Sequence, residues 1–285
     1  MKRLLTMAFA VIVLGALAVA GKPITIKGSD TMVILGQRWA ETYMKAHPGS
    51  IIQVTGGGSG TGIAQLIDGA TDIAQASRPM KDQEKAQLKT KRRIEAVEIR
   101  TALDGLAIYV NEKNPITRLT QDQLKAIYQM DITNWKEVGG PDAEIILYSR
   151  ENNSGTYAYF KEHVLKNEDF SAQCQTLPGT AAIINAAAKD PNGIGFGGIG
   201  YAKGVKVLSI AKDEKSEYVD PTEVNVVSMK YPLARYLYWY CAGEPKGDAR
   251  KLVDWILSDE GQKVVTQVGY YPLPKKTTLE EKPGK

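Results

Sequence analysis

An α/β protein of roughly two lobes is predicted by three observations in this sequence. Short apolar strands run repeatedly into loops of glycine and hydroxyl residues, and from there into helical apolar periodicity. Small polar residues and arginines gather at the carboxyl ends of those strands, where open α/β sheets bind ligands. The third is length. An apolar leader of 20 residues leaves 285 − 20 = 265 residues, enough for a sizeable core and about two lobes.

The leader carries Lys2 and Arg3, an uncharged run from Leu4, and Ala18-Val19-Ala20 at its end. That is the pattern of a cleavable export signal, with cleavage after Ala20 and Gly21 as the mature N-terminus. The run is short for a membrane span, and no second stretch of spanning length follows. Gly21, not a cysteine, stands immediately after the cut, which argues against a lipid anchor. The expected product is soluble and periplasmic. The whole chain carries 36 − 32 = +4, and without Lys2 and Arg3 it carries 34 − 32 = +2. Such a balance is too weak to argue for nucleic acid or a membrane surface.

Ile24-Thr25-Ile26-Lys27 alternates as a strand and enters Gly28-Ser29-Asp30-Thr31-Met32. A helix through Ile34, Trp39 and Tyr43 follows, ending near His47-Pro48-Gly49. Ile51–Thr55 is the next strand, then Gly56-Gly57-Gly58-Ser59-Gly60-Thr61-Gly62, then a helix from Ile63. The glycine loop fails as a nucleotide P-loop, because Ile63-Ala64 stands where lysine and a hydroxyl are required. Its glycine spacing also fails the dinucleotide fingerprint. Asp72–Ala76 reads as a buried strand broken at Pro79, delivering Ser77 and Arg78 at its carboxyl end. Glu144–Tyr148 reads as a further strand. It leads through Arg150-Glu151-Asn152-Asn153-Ser154-Gly155-Thr156 into a helix over Tyr157–Leu165.

A helix start presents unpaired N–H groups and the positive end of its dipole, and so favours an anion. Arg150 adds a planar fork of donors suited to a tetrahedral oxyanion. One such loop is equally a capped helix or a structural glycine turn. Three with hydroxyls at helix starts point to anion binding. No metal site is expected: Cys174 and Cys241 lack Cys–x–x–Cys spacing, and His47 and His163 have no partner at ligand spacing.

The ordered set of segments resembles the periplasmic phosphate-binding proteins of bacterial phosphate ABC transporters (the PstS family). The resemblance extends to Leu119–Tyr128, Ile132–Gly140, Asn192–Tyr201, Tyr231–Tyr238 and Leu257–Gln262, so it covers essentially the whole mature chain. It implies the two-lobed type II periplasmic binding protein fold, each lobe a mixed sheet flanked by helices, with the ligand in the interlobe cleft. Residues 21–102 and 232–285 would form lobe one and residues 103–231 lobe two, with hinges at Ala102–Gly105 and Met229–Pro232. It assigns ligand contacts to Thr31, Met32, Ser59, Arg150, Ser154, Gly155 and Thr156, with Met32 and Gly155 acting through backbone N–H. Arg78 lines the site in this reading, with Ser77 a further candidate.

The family's best-known members carry an aspartate where Arg78 stands, and that carboxylate accepts the proton of hydrogen phosphate. With arginine there, rejection of sulfate must come from elsewhere. Asp30 is the candidate acceptor; a helix cap is its alternative role. The resemblance also implies a monomer that serves an inner-membrane ABC permease, needing no cofactor. A bridge between Cys174 and Cys241 would restrain lobe closure, which argues against one.

Three alternatives stay open. Another tetrahedral oxyanion (sulfate, arsenate, molybdate or tungstate) would suit the same loops. A secreted phosphoester hydrolase would need a base near Ser154, yet His163 lies nine residues on along the same helix, about 13 Å away. An exported sensor using the ion to set its shape lacks any appended signalling segment.

Overall fold

The computed structural model describes residues 22–274; the leader and the expected cut after Ala20 lie outside the described residues. The chain opens with β1 (Ile24–Gly28), a 3-10 turn at Asp30–Met32, α1 (Val33–Ala46), β2 (Ile52–Thr55), α2 (Ser59–Asp68), β3 (Ile73–Ala76) and α3 (Asp82–Arg92). β4 (Ala96–Val110) follows, then β5 (Arg118–Thr120), α4 (Gln121–Gln129), β6 (Ile146–Arg150), α5 (Gly155–His163), β7 (Gln175–Leu177) and α6 (Gly179–Lys189). β8 (Gly193–Gly198), a 3-10 turn at Ile199–Tyr201, β9 (Lys206–Val207), β10 (Ser209–Ala211) and α7 (Glu223–Val227) complete that stretch. β11 (Ala234–Ala242), α8 (Gly247–Leu257) and α9 (Asp259–Val268) return to the first part of the molecule.

The strands run in the order β2-β1-β3-β11-β4-β8-β6-β7. β1 pairs in parallel with both β2 and β3, and β6 pairs in parallel with β8 and β7. Between these groups lies β4, fifteen residues long. Its first ten residues run antiparallel to β11, up to Gly105↔Ala234, and its last five to β8, from Leu106↔Gly198. One strand therefore belongs to both halves of the molecule.

Packing divides three residues earlier, between Ala102 and Leu103. Residues such as Ile26, Trp39, Ala102, Trp239 and Tyr270 share one core. Leu103, Tyr128, Phe160, Phe196 and Leu233 share another. Trp39 and Trp239 meet edge to face at 5.5 Å, while Phe160 and Phe196 stack at 4.1 Å. The fold is thus two α/β lobes, each a mixed sheet with flanking helices. Cys241 lies in the first core and Cys174 packs against the second, both as free thiols. Burial pushes each thiol up to about 12. Among the described residues no helix is long and apolar enough to cross a membrane.

The two expected hinge segments take different forms, and the glycine loop is shorter than expected. The crossing at Ala102–Gly105 is continuous strand, because a ladder on both sides satisfies backbone groups that a buried loop would leave unpaired. The return at Met229–Pro232 is a turn, with Met229 at φ 57. The second half of the glycine loop is not loop either, since α2 begins at Ser59. A Cβ at Gly62 would sit 2.3 Å from the Lys27 carbonyl oxygen. Glycine there lets α2 lie directly on β1.

Candidate functional site

Four helix starts converge where the lobes meet, each bringing a hydroxyl in or just before its first turn. Thr31 comes from the turn before α1, Ser59 from α2, Thr156 from α5 and Thr180 from α6. Ser29 follows β1, and Ser77 follows β3. These six side chains lie in residues that are at most 1 % exposed. Thr31 Oγ1 lies 2.8 Å from Thr156 Oγ1, and Ser29 Oγ donates to Ser77 Oγ at 2.9 Å. Ser77 Oγ is 3.4 Å from both Ser59 Oγ and Thr156 Oγ1. A hydroxyl can donate or accept, so this cluster can turn several donors toward one oxyanion. The helix dipoles act in the same direction.

A buried arginine stands on either side. Arg150, the last residue of β6, donates through Nη1 to Thr180 Oγ1 at 2.8 Å and through Nη2 to Asp30 Oδ2 at 2.7 Å. Its Nε reaches Glu151 Oε2 at 3.2 Å. Arg235, on β11, donates Nε and Nη2 to Asp104 Oδ2 at 2.9 and 2.7 Å. It also donates Nη1 to the Ser77 carbonyl oxygen and Nη2 to Thr156 Oγ1, at 3.1 and 3.0 Å. Burial pushes the Asp104 carboxyl above its ordinary range, against the opposing pull of Arg235 and the Ile199 N–H. Each guanidinium is aimed by its aspartate, and each reaches a hydroxyl of the cluster.

The structure brings together Thr31, Ser59, Ser77, Arg150, Gly155 and Thr156 as expected from the sequence. Gly155 must be glycine for this approach: a Cβ there would lie 2.3 Å from Ser59 Oγ and 2.7 Å from Ser77 Oγ. Asp30 joins the site's margin, accepting from the Gly57 N–H at 2.8 Å as well as from Arg150. Ser154 Oγ caps α5 by accepting from the N–H groups of Thr156 and Tyr157, so only its hydroxyl proton is free for a ligand. The Met32 N–H donates to the Ser29 carbonyl, and its side chain lies in the first core.

Arg78 is a correction. Its guanidinium turns away from the cluster onto Glu84 of α3, with Nη1 and Nη2 at 2.8 and 2.7 Å from the two carboxylate oxygens. A third hydrogen bond goes to the Pro79 carbonyl. A carboxylate six residues along offered a bidentate partner, which outcompetes a place in the cleft. Burial pushes the Glu84 carboxyl up, but hydrogen bonds from Arg78 and the Lys81 N–H together hold it below the ordinary 4.5.

Arg78→Ala is therefore expected to destabilise the fold by about 2–4 kcal/mol while leaving oxyanion affinity within about threefold. A depressed carboxylate stabilises fully above its unfolded pKa and loses that contribution as pH falls through its folded pKa. The deficit should accordingly shrink below about pH 4.5, as chemical denaturation across pH will show.

Arg235, Asp104, Thr180 and Ser29 escaped the sequence reading. Thr180 was detectable, since Pro178-Gly179-Thr180 precedes an apolar periodic run as a helix start does. Among the described residues no group of three or more His, Cys, Asp and Glu could hold a metal ion.

Comparison with known proteins meets this geometry directly. Residues 16–260 match the PBP superfamily domain. The phosphate-binding protein PstS of Pseudomonas aeruginosa is 36% identical over 266 residues, covering 87% of this chain and 82% of that one. The chain belongs to the PstS family of phosphate-binding proteins. The PstS protein of Bacillus subtilis is 32% identical over 267 residues, covering 93% of this chain and 86% of its own. Among solved structures, a candidate phosphate ABC transporter substrate-binding protein from Clostridium perfringens, with phosphate bound, superposes at TM-score 0.80 and 30% identity. It covers 89% of this chain and 100% of that one. An ABC-type phosphate transport receptor from Vibrio cholerae gives 0.70 at 30% identity, with 88% and 100% covered. This PstS-family chain thus shares its two-lobed fold with proteins whose names denote phosphate binding.

Proposed function

We propose that the chain captures inorganic phosphate between its lobes and passes it to the membrane permease of an ABC transporter. The observation that carries this reading is the convergence of four hydroxyl-bearing helix starts between two buried arginines. Stripping a dianion of water is very costly unless nearly every oxygen gains a donor. Hydrogen bonds to a charged group contribute about 1.5–3 kcal/mol each, so a dense cage offsets that cost. The relatives' names favour phosphate over other oxyanions. Export with cleavage after Ala20, action as a monomer, and movement of residues 21–102 and 232–285 against 103–231 belong to the same proposal.

A binding role also fits better than hydrolysis. Ser154 Oγ is engaged in capping. His163 bonds the Tyr159 carbonyl and stacks on that ring at 3.8 Å, and His47 does the same with Tyr43 at 3.9 Å. Each histidine is thereby held beside its own helix turn.

Calorimetry on protein freed of bound ion, with phosphate, arsenate and sulfate compared, tests the reading. Phosphate should bind at least about a hundredfold more tightly than sulfate, a gap of about 2.7 kcal/mol; equal affinities would overturn phosphate as the ligand. Asp30→Asn should weaken phosphate by about tenfold more than sulfate if this carboxylate accepts the ligand's proton. An equal loss for both ions would leave Asp30 only the task of holding Arg150.

A further inference from the structure

The glycine loop Gly56–Gly58 belongs to no element, and the oxyanion cage takes only Ser59 from its neighbourhood. The loop is occupied from the opposite lobe. Asn153, on the second lobe, donates Nδ2 to the Gly57 carbonyl at 3.1 Å and to Thr61 Oγ1 at 3.2 Å. Its own carbonyl accepts the Gly60 N–H at 2.9 Å. That N–H lies in the first turn of α2, whose N-cap, Gly58, has no side chain to cap with. The helix that carries Ser59 is therefore capped by the opposite lobe.

The glycines make this contact possible. Gly57 and Gly58 stand at φ 107 and 87, and a Cβ at Gly58 would lie 2.7 Å from the Asn153 carbonyl oxygen. Asn153 is exposed and its side chain is directed at the opposite lobe, not at the hydroxyl cluster.

We propose that Asn153 is a positioning residue, an interlobe latch that holds the closed form and sets how long phosphate stays, without touching the ion. The proposal rests on the phosphate-capture reading for its ligand. When the lobes part, α2 loses its cap and the Gly57 carbonyl and Thr61 hydroxyl lose their amide partner. Closure restores these bonds whether or not an ion is present. The latch therefore biases the open–closed equilibrium, and affinity scales with the closed fraction.

The test combines stopped-flow binding of inorganic phosphate with solution scattering on the full mature protein. Asn153→Ala should weaken phosphate binding by about tenfold, two lost hydrogen bonds being involved. The loss should fall on the dissociation rate, with association within about twofold. The ion-free variant should have a larger radius of gyration than the ion-free parent, at an unchanged melting temperature. Thr61→Val, on the other lobe, should be less than additive with Asn153→Ala, as for residues in direct contact. A parent that binds phosphate beside an Asn153→Ala variant with the same dissociation rate would overturn the latch. A parent that binds no phosphate would sink the capture reading instead. In that case an unchanged radius of gyration in the variant would overturn the latch as well.

Discussion

Arg235→Ala is expected to lose at least about a hundredfold in phosphate affinity and to lower folding stability by about 3–5 kcal/mol. Both effects come from one geometry. The guanidinium spans the Ser77 carbonyl on one lobe and the Thr156 hydroxyl on the other, so its removal takes a charged donor from the cage. It also strips Asp104, which is 0 % exposed, of the one cation that pairs with it among the described residues. A buried carboxylate without a partner must take up a proton or disrupt its surroundings. Because the folded pKa is then raised further, the folded state holds the extra proton. The stability deficit of Arg235→Ala relative to the parent should be smallest at low pH and grow as pH rises above the parent's own raised Asp104 value.

Paired replacement separates the two effects. Arg235→Met combined with Asp104→Leu removes the buried charges together, so stability should return to within about 1 kcal/mol while binding stays lost. Arg150→Ala serves as the contrast. Its partner Asp30 keeps 21% side-chain exposure, so its stability cost should be about 1–2 kcal/mol with a comparable loss of affinity. Denaturant titration and calorimetry on these variants would refute the assignment if Arg235→Ala kept parental affinity, or if the double variant regained it.

The parts of the site that lay along single strand–loop–helix units were legible in the sequence. Thr31, Ser59 and Thr156 each follow a strand and start a helix, which residue type and periodicity reveal locally. Arg150 announced itself in the same manner at the end of β6. Arg235 did not, because it is the second residue of β11, running into Tyr236, Leu237 and Tyr238, where an arginine reads as an outward-facing residue. What turns it inward is Asp104, 131 residues away, on a strand whose pairing with β11 no local pattern encodes. Arg78 failed in the opposite direction. Its position at a strand end was read correctly, yet its rotamer was decided by Glu84, whose approach depends on how α3 leaves the Pro79 turn. The two-lobe fold survived both errors because it rests on many repeated units, whereas one side chain's direction rests on a single distant partner.

Glycines on the second lobe's facing surface carry the other large expectation. Gly155→Ala should weaken phosphate binding by about a hundredfold or more, with each lobe's stability changed by no more than about 0.5 kcal/mol. Within its own lobe the new methyl group starts α5, where alanine suits a helix better than glycine does. The obstruction lies across the cleft: Ser59 Oγ at 2.3 Å, Ser77 Oγ at 2.7 Å and Ser59 Cβ at 2.9 Å. Ser59 cannot simply rotate aside, because its oxygen accepts the Ser77 N–H at 3.1 Å. The lobes must stop short, and the hydroxyls of Thr31 and Thr156 lose their 2.8 Å approach. Gly198 repeats the design, with a Cβ there 2.6 Å from Thr31 Cγ2 and 2.7 Å from Tyr270 Oη. Closure therefore requires bare backbone at both places, and the energetic penalty of one methyl group falls on the closed form alone. A Gly155→Ala protein that binds phosphate as the parent does would show that the ion is held without this approach of the lobes.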